Sequence, residues 1–294
     1  MGKCFEKDGW MMSNSLVKPY LKWAGGKRQL LPEIKKYLPR DFSSYKYYEP
    51  FVGAGALLFE RQPKKAVIND YNAQLILTYT VIRSSVNELI EVLKVHNENN
   101  SDKYFYEIRS KDRDSEAFNA LSDVEKAARL IYLNKTCYNG LYRVNSQGLF
   151  NAPYGRYVNP AICDEPVLRA IHKYLSDNEE ILILNDDFAN AVKTADNKAF
   201  VYFDPPYHSP DNTNFTGYQA DRFDAKEQAR LRDIYVELTE KGAKCLLSNS
   251  DTAFIRELYS GDRFEIIHVI AKRAINSDGA GRGSVNEVLI KNWK

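Results

Sequence analysis

The sequence predicts an α/β fold: a largely parallel sheet with a mainly helical segment inserted into it. Three observations carry this. Ala199-Phe200-Val201-Tyr202-Phe203 is a short apolar run that stops on Asp204-Pro205-Pro206-Tyr207, which reads as a buried strand ended by a stiff turn. Tyr45-Lys46-Tyr47-Tyr48-Glu49-Pro50-Phe51 reads as a second strand, and Val52-Gly53-Ala54-Gly55 leads from it into an apolar helix start. Strand, Gly-x-Gly turn and helix are the first half of a nucleotide-binding βαβ unit. Between residues 72 and 134, Leu75, Leu77, Val81, Ile82, Leu89, Ile90, Leu93, Ala127, Leu130 and Ile131 return near helical spacing and are expected in a core.

Composition sets outer bounds. A chain of 294 residues, 44% hydrophobic and 27% charged, is in the ordinary globular range and can bury a full core. No apolar run approaches the ~20 residues that cross a membrane, so no membrane partner is expected. Residues 1–15 carry Lys3, Glu6, Lys7 and Asp8 and read as a loose leader without the apolar centre of a signal peptide. Cys4, Cys137, Cys163 and Cys245 are scattered. No zinc pattern or disulfide framework follows, no metal is expected, and a reducing cytoplasm is the default. The net charge is +2, so any surface for a polyanion has to come from local patterning.

Taken in order, Lys18-Pro19-Tyr20-Leu21-Lys22-Trp23-Ala24-Gly25-Gly26-Lys27-Arg28 comes first. Its Gly-Gly pair either lets backbone approach a ligand or forms a plain turn beside a packed indole. It lacks P-loop spacing. A short helix near 30–37 precedes Pro39. The Gly53-x-Gly55 turn lacks a third glycine in register, which disfavours a dinucleotide. Lys65-Ala66-Val67-Ile68-Asn69-Asp70 reads as a strand ending on an acid. Asp70 suits ribose hydroxyls and the cap of the next helix equally well. Polar loops are expected at 97–102 and 111–116.

From Lys126 to Cys163 there is no acidic residue. Lys126, Arg129, Lys135, Arg143 and Arg156 alternate there with Tyr132, Tyr138, Tyr142, Tyr154 and Tyr157. Asn134, Asn139, Asn145, Asn151 and Asn159 punctuate the run. Basic side chains neutralise phosphates, Asn and Arg read base edges, and aromatics stack on bases, so nucleic acid is the expected partner. Ile181-Leu182-Ile183-Leu184 then reads as a strand before Asp186-Asp187-Phe188. A long polar loop over 208–222 has the length of a functional lid. Asp224 with Glu227 reads as a capping box opening a helix to about 240. Lys244-Cys245-Leu246-Leu247-Ser248-Asn249 is a strand, and 264–271 with 285–291 read as a hairpin. At the end of the strand at 199–203, Asp204, the Pro205 carbonyl and Tyr207 offer two acceptors and an aromatic face to one space. That suits a planar ring bearing an amino group.

These strings, in this order, resemble the DNA adenine methyltransferase (Dam) family, of the circularly arranged alpha class, over nearly the whole chain from Leu21. Leu21-Lys22-Trp23-Ala24-Gly25-Gly26-Lys27 resembles its N-terminal cofactor motif, and Glu49-Pro50-Phe51-Val52-Gly53-Ala54-Gly55 its Gly loop. Asn69-Asp70 matches the ribose-binding acid and Asp204-Pro205-Pro206-Tyr207 the catalytic motif. Tyr138-Asn139-Gly140-Leu141-Tyr142-Arg143 and Pro153-Tyr154-Gly155-Arg156-Tyr157 resemble its target-recognition segment. Residues 212–218 and 273–287 resemble later stretches.

The resemblance implies a Rossmann-like, S-adenosyl-L-methionine-dependent methyltransferase domain over 16–71 and 164–294, with a helical recognition domain over 72–163. It implies methyl transfer to N6 of a flipped-out adenine in double-stranded DNA, with GATC as the site read and a cognate restriction endonuclease as a further partner. By the same resemblance the cofactor contacts are Trp23, Lys27, Phe51, Gly53, Gly55, Asp70, Asp187, Phe188 and Asp204. Asp204, Pro205, Pro206 and Tyr207 are catalytic. Lys22, Tyr138, Asn139, Leu141, Arg143, Pro153, Arg156 and Tyr157 face DNA. Methylation of cytosine N4 or of RNA needs a similar acid-Pro-Pro-aromatic site, but the recognition segment is Dam-like. A non-catalytic DNA-binding regulator is disfavoured because both the Gly loop and the Asp-Pro-Pro-Tyr string are intact.

Overall fold

The computed structural model describes residues 13–23, 25, 27–209, 223–272 and 284–294. The expected leader up to residue 12, the lid-like loop from 210 to 222 and the connection from 273 to 283 lie outside the described residues. Seven described strands form one sheet: β1 (Lys46–Glu49), β2 (Ala66–Asn69), β3 (Ile181–Leu184), β4 (Ala199–Phe203), β5 (Lys244–Ser250), β6 (Glu265–Lys272) and β7 (Ser284–Lys291). Their order is β3-β2-β1-β4-β5-β7-β6. The first five are parallel, with Tyr48 opposite both Val67 and Val201. β7 enters antiparallel between β5 and β6, and with β6 it forms the expected hairpin.

β4 is buried at all its positions, and the two-residue period of a strand sorts it onto two faces. Phe200 and Tyr202 join Tyr47 and Ile68 in one core, while Val201 and Phe203 join Tyr48, Val67, Leu231 and Tyr235 in the other. A strand apolar on both faces must be covered on both, which is why helices flank the sheet. They are α1 (Leu31–Lys36), α2 (Ala56–Arg61), α3 (Ala73–Ser84), α4 (Val86–Glu98), α5 (Asp102–Ser110), α6 (Ser115–Ala120), α7 (Asp123–Thr136), α8 (Glu165–Ser176), α9 (Phe188–Ala191), α10 (Ala225–Glu240) and α11 (Ala253–Leu258).

Between β2 and β3 the helices α3, α4, α7 and α8 pack on one another, and α3 also touches β3. One continuous core therefore runs from Tyr47 in the sheet to Leu130 and Leu133 in α7. α7 opens with a reciprocal capping box between Ser122 and Glu125. α10 does not. Asp224 caps it by accepting from Lys226 N and Glu227 N, but the Glu227 carboxylate turns to Arg230. A charged partner within one helical turn outcompetes the backbone N–H. The expected loop at 111–116 is likewise filled by a 3-10 turn over Lys111–Arg113 and the start of α6.

The acid-free stretch divides in a way its composition does not reveal. Arg129, Tyr132, Asn134 and Tyr142 are buried and belong to the core. They are not part of a DNA-facing surface. Arg129 is 2% exposed, with Nη2 2.9 Å from Asp112 Oδ2. Its guanidinium donates to the carbonyls of Ile108 and Arg109. The acid that neutralises it lies on the preceding turn, outside the stretch. Breaking a buried, hydrogen-bonded ion pair from one side strands the other charge. Arg129→Ala should therefore lower stability by about 3–5 kcal/mol in denaturant unfolding, whereas replacing exposed Arg156 should change it by under about 0.5 kcal/mol.

Candidate active site and nucleic-acid interface

Parallel pairing brings the carboxyl ends of β3, β2, β1 and β4 to one edge of the sheet, where open α/β folds bind ligands. Just beyond those ends lie Asp187, Asp70, the Gly53–Gly55 turn and Asp204. Gly53 and Gly55 are left-handed, with φ of 50° and 72°. A Cβ on Gly55 would come within 2.8 Å of Tyr79 Oη, and one on Gly53 within 3.2 Å of the Trp23 ring. Only glycine fits both the torsion and the space. Gly53 N donates to Asp70 Oδ2 at 3.1 Å, and Tyr79 Oη donates to the Gly53 carbonyl at 2.9 Å.

Asp70 is not the cap of α3. That role falls to Asn72, which accepts from Leu75 N at 3.0 Å, while Asp70 Oδ1 accepts from Asn72 N. Burial pushes the Asp70 carboxyl up to about 6, against the two backbone donors that favour its charge. Asn69, buried at the end of β2, joins three strand ends. Its amide donates to the carbonyls of Pro50 and Asp186 and accepts from Asp186 N.

Asp204 follows β4. Its Oδ1 lies 2.8 Å from Lys27 Nζ and accepts a 2.8 Å hydrogen bond from Ser248 Oγ of β5. Lys27 is buried, donates to the Gly25 carbonyl, and stands 4.2 Å from the centre of the Tyr207 ring. Burial raises the Asp204 carboxyl above its usual range, while Lys27 and Ser248 pull it back. Tyr207 Oη donates to Glu287 Oε2 of β7 at 2.9 Å. The Pro206 carbonyl accepts from Gln228 Nε2 of α10 at 2.8 Å. Nearby, buried Glu49 is held well above the ordinary carboxylate range by desolvation, and it accepts from Tyr47 Oη.

Trp23 stacks on Tyr142, with ring centres 5.1 Å apart. Phe51 and Phe188 meet at 5.3 Å, and Phe223 closes on both. Asp187 turns its carboxylate to Arg230 and caps α9 through Ala189 N. Ser248, Glu287, Gln228 and Arg230 were not singled out in the sequence. One signal was present: in β5 the apolar run Cys245-Leu246-Leu247 is followed by three consecutive polar residues, Ser248-Asn249-Ser250.

The residues expected to face DNA form a second group. Segments 137–144 and 150–154 run antiparallel through the bridges Cys137–Tyr154 and Val144–Phe150. Tyr138 N donates to the Pro153 carbonyl. Lys22 joins them: Asn134 bonds both its backbone groups and also donates to the Gly140 carbonyl, and Lys22 Nζ lies 5.2 Å from the Tyr157 ring centre. Tyr138, Arg143, Pro153 and Arg156 are exposed, and Asn139, Leu141 and Tyr157 are half-buried. Asn139 and Arg156 are left-handed, with φ of 58° and 51°. Arg143 donates from Nε to Asn151 Oδ1 at 2.8 Å and from Nη2 to the Asn151 carbonyl. Among the described residues no three His, Cys, Asp or Glu side chains form a metal-holding group, and no helix is long and apolar enough to cross a membrane.

A Gly-x-Gly turn and three acids at one edge of a mostly parallel sheet, with helices on both faces, define a Rossmann-like methyltransferase. The family described as D12 class N6 adenine-specific DNA methyltransferase matches residues 23–275. The chain is 43% identical to a Type II methyltransferase, M1.LlaDCHI, of Lactococcus lactis subsp. cremoris, over 94% of this chain and 96% of that one. It is 42% identical to the Type II methyltransferase M.MjaIII of Methanocaldococcus jannaschii, over 94% and 99%. The DNA adenine methylase of Escherichia coli is 33% identical over 92% and 93%. This chain belongs to the D12 class of N6 adenine-specific DNA methyltransferases. Its cofactor is S-adenosyl-L-methionine, and the site fits that group: a glycine cradle that a Cβ would fill, and carboxylates suited to a cation.

Proposed function

We propose that this protein methylates N6 of adenine within GATC in double-stranded DNA, after the target base has left the stack. The observation that carries the reading is Asp204 at the end of β4, fixed through Oδ1 and followed by Pro205 and Tyr207. Bound cofactor supplies an electrophilic methyl group on a sulfonium. The N6 lone pair is delocalised into the adenine ring and is a poor nucleophile. Asp204 Oδ2 and the Pro205 carbonyl, each accepting one N–H, favour a pyramidal nitrogen with its lone pair toward the methyl group; the N6–C bond would form as the S–C bond broke with its electron pair left on sulfur, and N6 would shed one proton along its hydrogen bond to Asp204. This is orientation with electrostatic stabilisation, and it needs no covalent enzyme intermediate. Tyr207, its hydroxyl fixed by Glu287 and one ring face beside Lys27, stacks on the flipped ring, and Pro206 shapes the turn. Flipping is required because N6 in a stacked pair is out of reach of a buried sulfonium.

In this reading Trp23, Lys27, Phe51, Gly53, Gly55, Asp70, Asp187 and Phe188 hold the cofactor, with Asp70 on the ribose. Lys22, Tyr138, Asn139, Leu141, Arg143, Pro153, Arg156 and Tyr157 hold DNA. Residues 16–71 and 164–294 make the catalytic part and 72–163 the recognition part. Association with the nucleoid follows from DNA binding. Since the Lactococcus and Methanocaldococcus relatives are named Type II methyltransferases, the partner we propose is a restriction endonuclease acting on the same site. GATC rests on the likeness to the DNA adenine methylases.

Three outcomes test this. Asp204→Ala leaves buried Lys27 without its anion and should lower the melting temperature, and the folded variant should lose at least about 100-fold in turnover, as when one preorganised group is removed from an active site; near wild-type methylation overturns the catalytic assignment. Asp70 at about 6 is ionised at pH 8 and protonated at pH 5, so it loses acceptor capacity as pH falls. Calorimetric titration should find cofactor affinity falling through that window in the wild type, with Asp70→Asn weaker at pH 8 and nearly flat. Arg143→Ala, assayed at fixed salt on GATC and its single-base variants, should cost about 1–3 kcal/mol on the cognate duplex and relax preference at one base pair. An equal loss on every duplex would make Arg143 a phosphate contact.

A further inference from the structure

The residues from Asp204 to His208 leave the sheet without regular structure, yet side chains from neighbouring elements grip almost all of them. Ser248 holds Asp204, Gln228 holds the Pro206 carbonyl and Glu287 holds the Tyr207 hydroxyl. Asn249 Oδ1 accepts from His208 N at 3.1 Å, and Ser250 Oγ donates to the His208 carbonyl at 2.6 Å. Asn249 also donates to Gln228 Oε1 at 3.0 Å, which links the grips on residues 206 and 208. Ser248, Asn249 and Gln228 are fully buried, so this polar set lies in a medium where hydrogen bonds are strong and unmade ones costly.

At Asp204 the direction of each bond follows from chemistry. A carboxylate only accepts, and Oδ1 at 2.8 Å is nearer and more strongly charged than the Phe203 carbonyl at 3.4 Å, so the Ser248 hydroxyl spends its one proton on Oδ1. Its lone pair is then free to receive the Tyr202 hydroxyl, 3.1 Å away on β4. The chain therefore runs Tyr202 to Ser248 to Asp204, and Tyr202 is itself 1% exposed. Ser248 donates to Oδ1 of Asp204, and the closest approach of Lys27 is to the same oxygen. The terminal torsion of an aspartate is broad. A hydroxyl on a paired strand restricts it in a way that a long lysine cannot.

We propose that Ser248, backed by Tyr202, is a positioning residue for methyl transfer: it fixes the rotation of the Asp204 carboxylate and so presents Oδ2, beside the Pro205 carbonyl, to the target amine. The inference rests on the catalytic reading of Asp204 given above. Neither Ser248 nor Tyr202 touches the substrate in it. The two act through Asp204, and the strap from Asn249 and Gln228 holds the following turn in place.

The test is steady-state methylation of unmethylated duplex DNA by Ser248→Ala, Tyr202→Phe and the double variant, beside Asp204→Ala, with thermal melting of each. A hydrogen bond to a charged group implies a kcat loss of about 10-fold or more for Ser248→Ala, with KM for cofactor and DNA held within about 2-fold. Tyr202→Phe should lose less. The double variant should match Ser248→Ala alone, because groups acting in series are not additive. Wild-type kcat in Ser248→Ala, or losses that add and appear mainly in KM, would overturn the proposal. If Ser248→Ala does not fold, Tyr202→Phe decides: unchanged kcat overturns the relay, and reduced kcat at unchanged KM supports it. Full activity in Asp204→Ala would instead sink the catalytic reading itself, which separates the two failures.

Discussion

Asp204 sits where a lone charge is hardest to keep. It follows a strand buried at every position, and an unpaired ion next to such surroundings costs several kcal/mol. The Lys27 ammonium answers it at 2.8 Å, and that contact binds the N-terminal segment to the carboxyl edge of the sheet. Lys27 in turn bonds the Gly25 carbonyl, in a segment that also carries Trp23 against the Gly53 turn and Lys22 against Asn134. One ion pair thus joins the Gly53 turn, the turn that follows β4 and the surface proposed for DNA. Were Lys27 lost, Asp204 would be driven toward its neutral form by the burial that already raises it.

The balance of charge around that pair is uneven. Glu49, Asp70, Asp204 and Glu287 gather near one edge, where Lys27 pairs with Asp204. Burial raises Glu49, Asp70 and Asp204 in the direction of holding protons. A cationic cofactor relieves the same strain, because an opposite charge nearby favours the ionised carboxylate. A sulfonium compound is such a cofactor, whereas its demethylated product has lost that positive charge. With the cofactor held as proposed, the site is electrostatically better matched to what it consumes than to what it releases.

Much of this was legible in the chain. β4 announces itself because apolar residues on both faces followed by Asp-Pro-Pro admit few other readings. The Gly53–Gly55 turn does so because glycine takes left-handed torsions at no steric cost, which suits a tight turn between a strand and a helix. Asp70 was placed at a strand end by spacing, but its competition with a helix cap was settled by the fold, which gave the cap to Asn72. Local spacing cannot rank two nearby acceptors when both reach backbone donors.

What tertiary structure decided has one physical origin: partners far apart in the chain. Arg129, Tyr132, Asn134 and Tyr142 share the composition of a DNA-binding run, yet they are core, because Asp112, His96, Lys22 and Trp23 meet them across the fold. Glu227 leaves its expected capping role because Arg230 stands one turn away. Ser248, Gln228 and Glu287 had no assigned role because a hydroxyl, an amide and an acid in separate elements carry no shared periodicity, although the polar end of β5 and the resemblance over 273–287 touched two of them. They acquire meaning when β5, α10 and β7 close around one turn. The sequence by itself determined which strands end in acids or glycines, since burial pattern and chain-stopping residues are local properties. Which side chains hold that chemistry in place was decided by the sheet order, since hydrogen bonds form between neighbours in space.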